Sequence, residues 1–452
     1  MFKRKIYEKI KEWKTESNGK TALLIEGARR VGKSTVVEKF AKEEYDSYIL
    51  IDFSIASPQI VELFNDLSNL NFFFLQLQLQ YNVDLQERKS VIIFDEVQLC
   101  PKARQAIKVL VKDGRYDYIE TGSLISIKKN VKDILIPSEE RKLQMFPMDY
   151  DEFLWALGND KTSTLLKTVS DSKKGIGDQT NRKLMKEFRL YMLVGGMPQA
   201  VYEYITSNNF RKVDMVKRDI LNLYEDDFKK IDSTGRLAML FEAIPSQLNK
   251  NTKGFQTKKV IDSYKTSDNS ILSMISELKD SKVVNVAYHA NDPNVGLSAY
   301  KDLTKFKLYL GDTGLFVTLM FKDKDFTENT IYKKLLNDKL QANLGYLYEN
   351  AVAQILTATG NELFYYTFPN VTQKKNYEID FILAKKNKIC PIEVKSSNYK
   401  KHASIDEFYK KFSNRILQRY IIHTKDLSKD GDILCLPIYL TQFISDNESE
   451  LD

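Results

Sequence analysis

The stretch Gly27-Ala28-Arg29-Arg30-Val31-Gly32-Lys33-Ser34, continued by Thr35, has the spacing GxxxxGK[ST]. Its glycines let a loop curl until backbone N–H groups face phosphate oxygens. A helix starting near Lys33 would add its positive N-terminal end. Lys33 is expected to reach the β- and γ-phosphates of ATP, and Ser34 to ligate Mg²⁺. The competing description is a glycine-rich turn without a ligand. Downstream, the apolar run Val91-Ile92-Ile93-Phe94 ends in Asp95-Glu96. Asp95 is placed to hold Mg²⁺ directly or through water, and Glu96 to polarise an attacking water. Thr121-Gly122-Ser123 offers hydroxyls at the end of another apolar run, a sensor-like position near the γ-phosphate. Any strand-to-loop junction can carry such residues.

A second constellation lies near the C-terminus. Asp380, Glu393 and Lys395 form a D-x₁₂-ExK pattern that resembles the core of PD-(D/E)xK nucleases. Side chains alternate faces along a strand, so Glu393 and Lys395 share one face while Ile392 and Val394 take the other. If strands 378–385 and 388–395 pair through a two-residue turn at Lys386-Asn387, Asp380 stands opposite Glu393, with Cβ atoms about 5 Å apart. Two carboxylates that close repel unless a cation lies between them, and Mg²⁺ suits oxygen ligands. Asp380 and Glu393 are therefore candidate metal ligands, and Lys395 a candidate to position water for attack on a phosphodiester. The alternatives are an exposed charged face on a hairpin, or a nuclease fold without activity. In the nucleases it resembles, a further acid often sits on the preceding helix. Glu349 occupies that place, though it also reads as a solvated helix residue.

The elements that must position these groups follow from hydrophobic pattern. From Lys20 to about Ser126, short apolar runs (21–27, 48–54, 91–97, 116–123) alternate with helical patterns such as 33–45. This predicts an α/β core with a parallel sheet and helices on both faces. Residues 1–19 read as a short basic helix. Residues 72–79, FFFLQLQL, fit a strand or a partly buried helix. A short amphipathic helix is expected at 147–158 and an exposed loop at 171–183. From 181 to 285 the pattern is mainly helical and then turns into a strand at 283–289, the signature of a winged helix. A helix at 343–360 opens the last region, followed by strands LFYYTF, YEIDFILA and KICPIEVKSS, a helix SIDEFYKKF and a strand RYIIHT. The acidic tail is expected to fray.

The ordered strings EGARRVGKST, IIFDEVQ, ETGS, GGMPQAV (195–201), KLYLGDTGL (307–315) and EIDFILAKKNKICPIEVKSS resemble prokaryotic AAA-type ATPases that carry a C-terminal domain of unknown function. The resemblance covers nearly the whole chain. It implies an AAA-type P-loop core over 1–160, a helical lid and winged-helix-like region over 161–335, and a restriction-endonuclease-like α/β domain over 336–452. It also implies that Pro198, in Gly195-Gly196-Met197-Pro198, lies against the nucleotide; an ordinary helix-ending Gly-Gly turn is the alternative. Arg141 stands where the family carries an arginine after a glycine. Here Glu140 precedes it, which weakens a finger role on the γ-phosphate.

The composition limits the remaining choices. With 68 Lys and Arg against 61 Asp and Glu, the net charge of +7 permits nucleic-acid contact without requiring it. Lys250, Lys253, Lys258, Lys259, Lys400 and Lys401 could neutralise phosphates or form a solvated face. Three spaced cysteines and three histidines argue against a disulfide framework and a zinc site, and point to a reducing cytoplasm. No apolar run reaches membrane-spanning length. The expected partner is nucleic acid, DNA ahead of RNA, and a homo-oligomer is expected because AAA-like cores often complete their sites across subunits. The sequence thus reads as an ATP-driven switch or motor coupled to a nuclease-like domain. The alternative is a regulator whose C-terminal domain only binds a partner.

Overall fold

The computed structural model describes residues 1–122, 137–249, 254–261, 268–339, 345–370, 376–397 and 400–444. Ser123, Lys250, Lys253 and the acidic tail lie outside the described residues. The chain forms two compact units, Met1–Phe146 with Asp280–Lys282, and Pro147–Lys279 with Val283–Asp452.

In the first unit, helix α1 (Ile6–Ser17) precedes β1 (Ala22–Glu26), α2 (Lys33–Glu44), β2 (Ser47–Asp52), α3 (Pro58–Leu63), α4 (Leu70–Tyr81), β3 (Ser90–Asp95), α5 (Pro101–Asp113), β4 (Asp117–Gly122) and β5 (Glu140–Gln144). The sheet order is β2-β3-β4-β1-β5, parallel throughout. Every residue of β1, β3 and β4 is buried, which is why these strands read as continuous apolar runs rather than alternating ones. The stretch at 72–79 is helical. Asn69 caps the start by accepting from the Phe72 N–H, and Asn82 closes the end in the left-handed conformation. In that phase Phe73, Phe74 and Leu77 enter a core shared with Phe53, Phe64 and Phe94.

The Arg104 guanidinium of α5 forms a buried fork with the Glu140 carboxylate at 3.0 and 2.9 Å. That pairing accounts for an acid before Arg141. The Arg141 side chain is half exposed and pairs with Glu16 of α1.

The second unit opens with helices, among them Tyr150–Ala156, which starts in a capping box between Asp149 and Glu152. Helices Asp160–Ser172 and Asp178–Val194 narrow the expected 171–183 loop to residues 173–177. Helices Pro198–Ser207 and Phe210–Ile231 follow. Its mixed sheet contains β6 (Val284–Ala290), β7 (Lys301–Leu310), β8 (Leu363–Phe368), β9 (Tyr377–Lys385), β10 (Lys388–Val394), β11 (Arg419–His423), β12 (Ser428–Asp430) and β13 (Ile433–Pro437), in the order β12-β13-β11-β10-β9-β8-β6-β7. The hairpin expected of a winged helix is present as β6 and β7. Its inner strand also pairs with β8, so hairpin and C-terminal strands share one sheet. A fragment starting near residue 338 would therefore lack two strands of that sheet.

Candidate functional sites

At the N-terminal site, β1 delivers the chain into the loop 27–32 and α2 leaves it. A Cβ on Gly27 would lie 2.3 Å from the Met145 carbonyl oxygen, so the loop can pass there only without a side chain. Gly32 caps α2 in the left-handed region with no side chain on the helix N–H groups, leaving those donors to an anion. The buried Lys33 ammonium donates to the carbonyls of Gly27 and Ala28 at 3.1 and 3.0 Å. Burial lowers its pKa, against the opposing charges of Glu96 and Asp95.

The β3 and β4 ends converge on the same place. Asp95 Oδ1 accepts from Ser34 Oγ at 2.7 Å and from the Thr121 hydroxyl. Thr121 Oγ1 also accepts from the Glu96 N–H at 3.3 Å. Two hydroxyls and a carboxylate meeting at one point are hard oxygen donors, the set that Mg²⁺ takes. Glu96 has φ 53° and ψ 45°, a left-handed conformation that costs a non-glycine residue about 1 kcal/mol or more. Gln98 Nε2 donates to its carboxylate.

In the second unit the β9–β10 register runs from Lys388 opposite Lys385 to Ile392 opposite Phe381. This is the expected register, and its continuation would set Asp380 opposite Glu393, although the strand pairing ends one rung earlier. Asp380 Oδ2 accepts from the Val394 N–H at 2.8 Å. Glu393, only 3 % exposed, pairs through Oε1 with Lys395 at 2.5 Å, while its Oε2 has no hydrogen-bond partner among the described residues. The acids that cluster are Glu349, Glu378 and Asp380, with one oxygen from each within 4.8 Å of the others. Lys307 of β7 donates to Glu349 at 2.9 Å and to Glu378 at 2.5 Å, and the Tyr309 hydroxyl also bonds Glu349.

Burial raises the Asp380 carboxyl well above its ordinary pKa, with Glu349, Glu378 and Glu393 adding to the effect against Lys307. Burial also raises Glu393, opposed by Lys395. For Lys395, burial opposes the charged form, but Glu393 outweighs it and the pKa rises. The acids, Glu393 and Lys395 line a cavity of about 510 Å³.

The string 307–315 is explained by its neighbours. Asp312 caps the helix Thr313–Met320 through the Leu315 N–H at 2.8 Å and accepts the Gly196 N–H. Gly314 lies so close to Gly195 that an added Cβ would come within 2.4 Å of its Cα. Pro198 starts the next helix, in the second unit.

Residues 19–154 match a family described as an AAA domain. This region resembles AAA domains, and its five-stranded parallel sheet is of the kind found in P-loop ATPase cores. Residues 185–325 and 344–440 match two families described as domains of unknown function, DUF8612 and DUF4143. No curated protein matches the chain. Among solved structures, it is similar to the Walker-type ATPase PABY2304 of Pyrococcus abyssi, at 16 % identity and TM-score 0.44, covering 71 % of this chain and 96 % of that one. It is also similar to the Orc1 protein of Aeropyrum pernix in complex with DNA, at 12 % identity and TM-score 0.27, covering 75 % and 93 %. Such loose superpositions leave function to the residues themselves.

Within the AAA domain the structure gathers Gly27, Ala28, Lys33, Ser34, Asp95, Glu96 and Thr121. Arg29 is half-buried, and Arg30 and Thr35 are exposed. Sequence reading missed Arg4, whose buried guanidinium holds the loop by donating to the Val31 carbonyl at 2.8 Å and to the Phe146 carbonyl at 2.7 Å. Nothing in the basic N-terminal segment marks Arg4 from its neighbours. In the second unit it missed Glu378 and Lys307. Glu378 was within reach, because i and i+2 on one strand share a face with Asp380. Lys307 comes from a distant strand and has no sequence signal. Among the described residues, no helix is long and apolar enough to cross a membrane.

Proposed function

We propose that this chain is an ATP-hydrolysing switch whose second unit carries a nuclease-like, metal-capable site acting on nucleic acid, DNA ahead of RNA. The observation that carries it is the meeting of the Ser34 and Thr121 hydroxyls on Asp95, beside Lys33 and Glu96. The loop N–H groups from Gly27 to Thr35 would hold the phosphates, Ser34 and Asp95 would hold Mg²⁺, and Glu96 would orient the attacking water. Bound Mg²⁺ supplies charge neutralisation at the β- and γ-oxygens. The place of Pro198 at the nucleotide and a homo-oligomer rest on family resemblance, and a cytoplasmic setting rests on cysteine usage. The three cysteines, all free and buried, fit a reducing compartment.

For the second unit, Glu349, Glu378 and Asp380 offer carboxylate oxygens to a divalent cation, with Glu393 and Lys395 on the wall of the same cavity. Exposed Lys400 and Lys401 follow the ExK strand and suit a phosphate backbone. A second reading is favoured by Lys307, which already neutralises part of the cluster: the unit binds its partner without cutting it.

A cleavage assay on labelled DNA and RNA, with Mn²⁺ and with or without ATP, separates the two. The nuclease reading expects fragments that depend on Mn²⁺ and increase with ATP. Intact nucleic acid retained in an ATP-dependent manner supports the binding reading. Independently, millimolar Mn²⁺ is expected to raise the melting midpoint of the nucleotide-free full chain by a few degrees, about 1–2 kcal/mol by linkage. Asp380→Asn removes one of several crowded carboxylates. It is expected to abolish that gain and to raise the metal-free midpoint slightly. A midpoint unmoved by Mn²⁺ would reduce the nuclease likeness to fold alone.

A further inference from the structure

Lys307 belongs neither to the D-x₁₂-ExK pattern nor to the P-loop, yet it is a buried cation bound to two of the three clustered acids. Its ammonium also lies 5.4 Å from the centre of the Tyr365 ring, a favourable place for a cation. Burial opposes its charge, but Glu349 and Glu378 outweigh that and push its pKa well above the ordinary lysine value.

The three acids form the common wall of two cavities. One, of about 510 Å³, also contains Glu393 and Lys395; the other, of about 50 Å³, contains Lys307. Lysine thus approaches the cluster from the side away from Lys395. Glu393 lines the larger cavity, and its buried Oε2 has no hydrogen-bond partner among the described residues, a separate sign that a cation belongs there. A buried carboxylate oxygen left in that state is costly.

We propose that Lys307 is the resident cation of this site and competes with a divalent ion for Glu349 and Glu378. The inference rests on the metal-capable reading of the cluster. A fixed positive charge bound to two ligand carboxylates repels an incoming divalent ion at low local dielectric, and it occupies one oxygen of each acid. It also orients those carboxylates, which would favour metal. Charge repulsion acts over the full separation and outweighs orientation, so wild type takes metal weakly.

The test is Mn²⁺ binding by the nucleotide-free full chain, read by calorimetry and by the metal-induced change in melting midpoint. Lys307→Met is expected to bind Mn²⁺ at least 10-fold more tightly than wild type. Because this variant leaves three acids facing one another, Lys307→Met/Glu378→Gln serves as a second variant. It removes one charge of each sign and is also expected to bind more tightly than wild type. Mn²⁺ affinity in both variants equal to or weaker than in a responsive wild type overturns the competition and leaves the metal reading standing. No response in wild type or in either variant overturns both.

Discussion

Replacing Lys33 by alanine is expected to lower ATP affinity about 10³-fold. The ammonium is buried and held over the loop by the Gly27 and Ala28 carbonyls, so it is already placed above the N–H groups that face a phosphate. On binding it exchanges neutral carbonyl acceptors for charged phosphate oxygens. A charge-assisted hydrogen bond contributes about 1.5–3 kcal/mol, and contacts to two phosphates bring the loss to about 4 kcal/mol. Burial adds to the effect, since a charge already desolvated loses less water on meeting its partner. The folded state tolerates the change, because alanine suits the first turn of α2 and removes a buried charge. Calorimetric titration with ATP and Mg²⁺, beside a thermal melt that confirms folding, reads the outcome. ATP affinity equal to wild type in the folded variant would show that the loop does not bind phosphate through Lys33.

Changing Glu96 to glutamine is expected to leave ATP binding nearly intact and to reduce turnover about 10³-fold, within the usual 10²–10⁴ range for a lost general base. Its backbone is held in the left-handed region, and its N–H is fixed to Thr121 Oγ1, which also contacts Asp95. A strained residue tied to Asp95 and half-open to solvent is a place where structure is maintained for chemistry rather than stability. Glutamine keeps the shape and the polar contact near Gln98 while losing the charge that draws a proton from water. Single-turnover phosphate release, compared with equilibrium ATP binding, separates the two quantities. A variant that hydrolyses at the wild-type rate would assign the water to another group.

How much was legible in the sequence depended on the range of the interactions involved. Four strands of the parallel sheet could be read directly, because doubly covered strands read as apolar runs, whereas the fifth, β5, is polar and mostly exposed and left no such run. The P-loop was equally local: Gly27 through Ser34 is one contiguous string whose glycines and lysine serve a single loop. The β9–β10 register followed from a two-residue turn, since turn length and side-chain alternation leave one pairing that buries Ile392. At 72–79 the pattern was ambiguous, because alternating Leu and Gln satisfy a strand, whereas the helix is chosen by caps at Asn69 and Asn82 and by the aromatic core that accepts Phe73 and Phe74.

The tertiary structure alone decided which distant groups meet. Arg4 reaches the Val31 carbonyl, Arg104 neutralises Glu140, and the β6–β7 hairpin joins β8 to bring Lys307 to Glu349 and Glu378. Each contact links segments separated by tens of positions, and neither Arg4, Arg104 nor Lys307 carries a periodicity or motif that marks its partner. Sequence determines such partners only through the complete fold, because charge pairing depends on distance in space, and a long lysine or arginine side chain can satisfy it from any neighbouring strand.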